Sequence, residues 1–389
     1  MPFRLLTVFD PIYELTPEQK DVHLHNDREG PVRLLVLEGD GIGGEICSAT
    51  VKVLEAAEEI AEINFSLEKQ PIGLARLNSR GVTIDEEVVN KARQADGVIL
   101  GPVSHNEYPP VSQGGLNPSG ELRKQLDLFA NIRPARSRPG FPPRCGSSID
   151  LVIVRENTEG FYADRNMFLG TGEFMPTPDV ALAVRKITRE GCLRIAHAGF
   201  ALACRRRRKL TAVHKANVLR VSDGLFLECA RAVAREFPDV VYEERIIDAM
   251  AALLIRDASQ FDVIVTTNMF GDILSDEASE ISGSLGLAAS LNAGARHALA
   301  QAQHGSAPDI AGKGIANPSS LISSTAMLLA WIGERRQNSK LVSLASLIEA
   351  GLDEAIRSPD QRTPDLGGKA STSAFTDQVV AAMKRHAHS

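Results

Sequence analysis

Short blocks of consecutive apolar residues alternate along this chain with longer stretches whose apolar positions recur every three or four residues. The blocks are 33–37, 63–67, 97–100, 150–154, 210–214, 240–247 and 263–267. They are too short for helices, and all but 63–67 and 240–247, which polar residues interrupt, are too continuous for half-exposed strands, so they read as strands of a largely buried sheet. The stretches between them predict helices from the turn at Gly44 to about Ile60, over 85–94, over 120–129 and over 195–204. This alternation predicts an α/β fold. Residues 317–332 are apolar or small nearly all round and open with Asn-Pro, which predicts a buried helix. The exception is 161–187, long, punctuated by glycine and proline, and carrying Phe161, Tyr162, Phe168 and Phe174. A connection of that length is a functional loop or an interaction arm, and exposed aromatics in it point to a subunit contact. Residues 1–30 lack periodicity and are expected to form an extension or a loosely docked arm.

Composition narrows the class. A chain of 389 residues is long enough for two domains. Its net charge of −6 argues against nucleic acid or an acidic membrane as the main partner. The basic run Arg205-Arg-Arg-Arg-Lys209 cuts the other way and is expected to be a solvated helix end, where cations suit the helix dipole. Five scattered cysteines without a Cys-x-x-Cys indicate neither a zinc site nor a disulfide framework and fit a reducing cytoplasm. No stretch reads as a secretory signal or reaches membrane-spanning length.

The chemistry gathers around Asn268-Met-Phe-Gly-Asp272-Ile-Leu-Ser-Asp276. A helix beginning near Gly271 puts Asp272 and Asp276 on one face, where like charges repel unless a cation lies between them. A hard divalent metal takes such oxygen ligands; the competing reading is a dipole-favoured Asp272 and a solvated Asp276. Arg123, Arg133 and Arg155 each sit at or beside the end of an expected element, and guanidinium forks bind carboxylates bidentately. Lys215 follows one strand, Asp248 ends another, and Tyr162 lies seven residues after Arg155. A lysine so placed can act as a base and a phenol as an acid. The turn Gly39-x-Gly41-x-x-Gly44 matches a dinucleotide fingerprint, but no acidic residue stands cleanly at the end of the next strand, so a tight turn beside a ligand is expected instead. The polar loop from His304 to Gly312, followed by Asn317, is suited to wrapping an adenosine, with Asp309 accepting from ribose hydroxyls.

These segments together resemble the β-decarboxylating dehydrogenases of 2-hydroxy acids, which include the isocitrate, 3-isopropylmalate, homoisocitrate, tartrate and D-malate dehydrogenases. The blocks come in family order: Gly-Asp-Gly-Ile-Gly at 39–43, Leu-Arg-Lys at 122–124, Arg-Glu-Asn-Thr-Glu-Gly at 155–160, Lys-Ala-Asn at 215–217, Phe-Gly-Asp-Ile-Leu-Ser-Asp at 270–276 and His-Gly-Ser-Ala-Pro-Asp-Ile at 304–310. The resemblance implies a two-domain fold that is not a Rossmann fold, with a first domain of 31–128 plus 283–389, a second of 129–282, and a dimer arm at 161–187. It implies a homodimer with shared active sites. The acid would be held by Asn117, Ser119, Arg123, Arg133, Arg155 and Asn217. Magnesium or manganese would be bound by Asp272, Asp276 and a partner's Asp248. Lys215 would be the base and Tyr162 the acid. The nucleotide would meet Ile42, His304, Gly305, Ser306, Ala307, Asp309, Ile310 and Asn317.

NADP-selective members place Lys-Tyr where this chain has Asp309-Ile310, so NAD is expected. The family's usual Glu-Pro-Val before His304 is here Gln301-Ala302-Gln303. Asn117 and Ser119 favour a polar substituent on the substrate's third carbon, while Leu116 and Leu122 leave the isopropylmalate reading open. A catalytically silent regulatory subunit is a further reading, against which stand the retained Lys215, Tyr162, Asp248, Asp272 and Asp276.

Overall fold

The computed structural model describes residues 30–162, 167 and 170–388, so the expectations for the first 29 residues and for Phe168 lie outside it. The chain forms two compact units. One takes the chain up to Pro118, Ala289–Leu291 and everything from His297 on; the other takes Ser119–Ala288 and Asn292–Arg296. The divisions fall at 118/119 and 288/289, against the expected 128/129 and 282/283.

In the first unit, strands Phe65–Gln70, Val32–Leu37, Gly97–Leu100 and Ala298–Gln301 lie side by side and all parallel. The central strands are buried on both faces, as continuous apolar runs require. The strand expected at 63–67 is shifted to Phe65–Gln70. It is an edge strand with alternating exposure, so its polar second half escapes a search for apolar runs. Helix Gly43–Ala61 follows the glycine turn, and helix Ser319–Arg335 is buried from Ser319 through Gly333.

In the second unit the strand order is Ala130–Arg136, Asp150–Glu156, Val263–Thr266, Lys209–His214 and Val241–Ile246. The first pair is antiparallel and the rest parallel. Leu151, Ile153, Val213 and Ile264 from the strands pack with Met250, Leu254, Leu274 and Ala278 from two helices. Those helices are Ile247–Asp257 and Asn268–Ser282, and they carry Asp248 and the aspartate pair. Residues 161–187 contain an exposed two-stranded ribbon, Glu173–Thr177 against Val180–Ala183, with Phe174, Met175 and Leu182 open to solvent.

The basic run is a solvated helix end only in part: Arg207 and Arg208 are exposed, and Arg206 is not. Helix Arg189–Arg205 ends on it, but the side chain of Arg206 is only 5% exposed and its Nε meets Oδ1 of Asp262 at 2.7 Å. The backbone N–H of Arg207 donates to the other Asp262 oxygen at 2.7 Å, and the Arg207 guanidinium caps the carbonyls of Ser259 and Asp150. Asp262, itself 1% exposed, thus ties the helix end to the start of strand Val263–Thr266. Removing one partner of a buried ion pair leaves the other charge uncompensated. Asp262→Ala is therefore expected to lower unfolding free energy by about 3 kcal/mol in urea titration; a loss below about 0.5 kcal/mol, the range of ordinary surface changes, would restore the solvated reading.

Candidate active site

The acid- and metal-binding candidates of the second unit come together where helix Asn268–Ser282 crosses strands Ala130–Arg136 and Asp150–Glu156. The helix begins at Asn268, not near Gly271, so Asp272 lies in its second turn and Asp276 one turn further on. Gly271 allows the close approach: a Cβ there would stand 2.7 Å from Cβ and Cγ of Arg155. Arg155 and Arg133 are both buried, Arg155 near the end of its strand and Arg133 in the middle of its own rather than at an end.

The Arg155 fork is held from two sides. Its Nε and Nη2 donate to Oδ1 of Asn268 at 2.9 and 2.6 Å, and its Nη1 makes a short contact to Oδ1 of Asp272. Arg133 donates through Nε to Asn131 at 2.8 Å and through Nη1 to Ser275 Oγ at 2.7 Å. The same Nη1 lies 3.1 Å from Asp272 and 3.4 Å from Asp276. Asn268, Asn131 and Ser275 were not singled out from the sequence. Each is a neutral residue whose role appears only when distant segments pack.

Burial alone would raise the Asp272 carboxyl, but the nearby guanidiniums of Arg155, Arg133 and Arg123 outweigh it and hold the group below the usual carboxylate range. Its stabilising contribution is therefore present above the ordinary aspartate range and lost as pH falls through the depressed value. Burial, then repulsion from Arg155, brings Arg133 down to about 10, so it stays charged at neutral pH. The result is an ionised carboxylate and two fixed forks. Arg123 is buried on helix Pro118–Gln125, shorter than the expected 120–129, because Asp127 just after it turns left-handed at φ 47°. Ser119 is buried in the first turn of that helix, and Asn117 precedes it half-buried.

Lys215 and Asp248 form a second cluster. Lys215 follows strand Lys209–His214, and its Nζ donates to Oδ1 of Asp248 at 2.6 Å. Its backbone N–H donates at 2.6 Å to the fully buried Asp223, which also holds Arg185. Asp248 does not end a strand: the strand stops at Ile246, and Asp248 stands in the first helical turn with its side chain 68% exposed. The hydrogen bond from Lys215 lowers its carboxyl below the usual range. Asn217 is exposed in the turn after Lys215. Asp248 does not join Asp272 and Asp276 within one chain, since among the described residues no three His, Cys, Asp or Glu come close enough to hold a metal. Tyr162 is half-buried, with the Arg155 guanidinium 6.0 Å from its ring centre.

The nucleotide candidates belong to the first unit. Gly41, at φ +56°, lies against the 304–310 loop so closely that a Cβ would stand 2.0 Å from the Ser306 carbonyl oxygen. That carbonyl accepts from the Ile42 N–H at 2.9 Å. Ser306 thus occupies the space a dinucleotide fingerprint leaves for pyrophosphate, which supports the tight-turn reading of these glycines. Buried Asp40 braces the turn. It accepts from the Leu74 and Ser104 N–H groups at 2.7 and 2.9 Å and from the Tyr108 hydroxyl. Ser104 and Ser306 hydroxyls meet at 2.8 Å. In the loop, Ala307 takes φ 40°, Gly305 and Asp309 are exposed, Ile310 is half-buried, and Asn317 is fixed by Asp365 at 2.9 Å. Burial lowers the His304 imidazole, so it is neutral at pH 7, and its Nε2 is a buried atom without a hydrogen-bond partner. An orphaned polar atom and, five residues on, an exposed carboxylate fit a loop that receives a polar ligand such as a nucleotide.

Comparison with known proteins follows the same lines. The family profile described as Isocitrate/isopropylmalate dehydrogenase matches residues 33–379. The isocitrate/homoisocitrate dehydrogenase of Thermus thermophilus is 42% identical over 355 residues, 90% of this chain and 98% of that protein. The 3-isopropylmalate dehydrogenase of Saccharolobus solfataricus is 38% identical over 347 residues, 89% of this chain and 98% of that protein. The crystal structure of isocitrate dehydrogenase from Methylococcus capsulatus superposes with a TM-score of 0.80 at 38% identity, covering 90% of this chain and 99% of that one. With a family profile matched over 33–379 and relatives about 40% identical along nearly their whole length, the chain belongs to the isocitrate/isopropylmalate dehydrogenase family of decarboxylating hydroxy-acid dehydrogenases.

Proposed function

We propose that this chain catalyses the metal- and NAD-dependent oxidative decarboxylation of a malate-type 2-hydroxy acid with a polar group on its third carbon, such as isocitrate, homoisocitrate, tartrate or D-malate. The observation that carries the proposal is the clamp of Arg133 and Arg155 on Asp272. It places cationic forks suited to substrate carboxylates beside an aspartate pair with the hard oxygen donors that magnesium or manganese prefers. Such an ion, held by Asp272, Asp276 and Asp248 of the partner subunit, would supply Lewis-acid stabilisation of negative charge on the substrate oxygens. Bound NAD would accept the hydride.

The protein's own groups do the rest. Arg123, Arg133 and Arg155 orient the acid by its carboxylates, with Asn117, Ser119 and Asn217 as further polar contacts. Lys215 takes the hydroxyl proton, and Tyr162 returns a proton to carbon after carbon dioxide leaves. Lys215 and Asp248 stand apart from the Asp272–Asp276 pair within one chain, which supports a homodimer whose partner completes each site. The exposed Val218, Val221, Ile255 and Ile273 of the second unit, with the apolar ribbon at 173–183, are the kind of surface a dimer covers.

Leu122 is fully buried and so withdrawn from a ligand, while Asn117 and Ser119 are polar. This supports the polar substituent. The relative from S. solfataricus, nearly as similar as the one from T. thermophilus, keeps 3-isopropylmalate as the second reading.

A turnover panel with magnesium and NAD is expected to give a kcat/KM for one of the four polar acids at least about tenfold above that for 3-isopropylmalate. A best rate with 3-isopropylmalate would establish the second reading, and no oxidation of any of the five would favour a regulatory subunit. The exposed Asp309 repels a 2′-phosphate and accepts from a ribose diol. Asp309→Lys combined with Ile310→Tyr is expected to raise the NADP-to-NAD ratio of kcat/KM by roughly 100-fold; native enzyme that already prefers NADP would overturn the assignment.

A further inference from the structure

Beside Arg123, in the second unit, is a cavity of about 90 Å³ that the proposed chemistry does not use. It is walled by helix Pro118–Gln125 through Gly120, Arg123 and Lys124, by Asp127 just after it, by Asn157 and Thr158, and by Arg194 of helix Arg189–Arg205. Lys124 stands at its exposed rim and Asn157 at its fully buried end. The volume equals the liquid share of about three waters, enough for one small polyatomic ion.

The wall carries unused hydrogen-bonding capacity of both signs. The Asn157 amide is fixed in orientation because its Nδ2 donates to the Leu128 carbonyl at 2.9 Å and to Asn292 Oδ1 at 3.0 Å. Its Oδ1 is left as a buried acceptor without a partner. Arg194 is locked by two bonds to Asp127 at 2.9 and 3.1 Å, one to Thr158 at 3.0 Å, and by stacking 4.7 Å from the Phe129 ring centre. Its Nε remains a buried donor without a partner. Lys124 makes no ion pair with any described residue. Buried polar atoms are rarely left unmatched, and here an unmatched acceptor, an unmatched donor and the Lys124 ammonium share one cavity, whose only carboxylate, Asp127 among the lining residues, is engaged by Arg194.

We propose that this cavity binds a small oxyanion that still carries a proton, the chemistry shared by hydrogen phosphate and bicarbonate. Its O–H donates to Asn157 Oδ1, and its charged oxygens accept from Arg194 Nε and Lys124 Nζ. Arg123 lines the cavity and also acts electrostatically on Asp272, so an anion there draws on the same guanidinium that serves the candidate substrate.

The test is direct binding to the full chain, followed by phosphorus NMR for inorganic phosphate and carbon NMR for labelled bicarbonate. One saturable equivalent of at least one of them is expected, and the two titrations tell the sources apart. Lys124→Glu, at an exposed position, is expected to weaken binding by at least about tenfold, while Arg155→Gln leaves it within threefold or so. Sulfate has no proton to give at neutral pH and is expected to bind at least about tenfold more weakly. Absence of saturable binding, binding that Arg155→Gln abolishes and Lys124→Glu spares, or sulfate binding as tightly as phosphate would each overturn the proposal.

Discussion

The second unit's site depends on one charge balance. Two buried guanidiniums, Arg133 and Arg155, lie close enough that each penalises the other, and both turn to the single carboxylate of Asp272. The buried arginine pair would be left without a counter-charge if the half-buried Asp272 were removed. Together they fix three charged groups in position.

The backbone makes this balance possible. Gly271 lets the aspartate helix settle against Arg155 without a side chain between them, and Asn268, at the first helical position, receives the Arg155 fork. The first unit solves a related problem differently. Buried Asp40 gathers two backbone N–H groups and the Tyr108 hydroxyl, burial and this contact raising the phenol well above its usual range. The turn that results is filled by the Ser306 carbonyl.

Much of this was legible in the sequence, for physical reasons that differ by residue. Asp272 and Asp276 share a face whichever residue begins the helix, because a spacing of four survives a shift of the start. Buried strands such as Val32–Leu37 announce themselves because both faces are covered. Phe65–Gln70 was misplaced because an edge strand keeps one face in water. Asp248 was put on a strand because Ile246 and Ile247 read alike as the last residue of a strand or the first of a helix. The pairing of Arg206 with Asp262 was missed because 56 residues separate them, and local pattern carries no information about which distant charge will answer a basic run. The family order of the motifs supplied the roles that spacing alone left open, and the anchoring by Asn268, Asn131 and Ser275 came only from packing.

The central claim is that the Asp272–Asp276 pair of one chain works with Lys215 and Asp248 of another. Complementation tests it most directly: Asp272→Asn and Lys215→Met chains, each inactive alone, are unfolded together, refolded as a mixture and assayed. Shared sites predict recovery of roughly a quarter of native activity, since half the dimers are mixed and each of those holds one intact site. A mixture as inactive as its components, with mixed dimers demonstrated by mass spectrometry, would contradict the account.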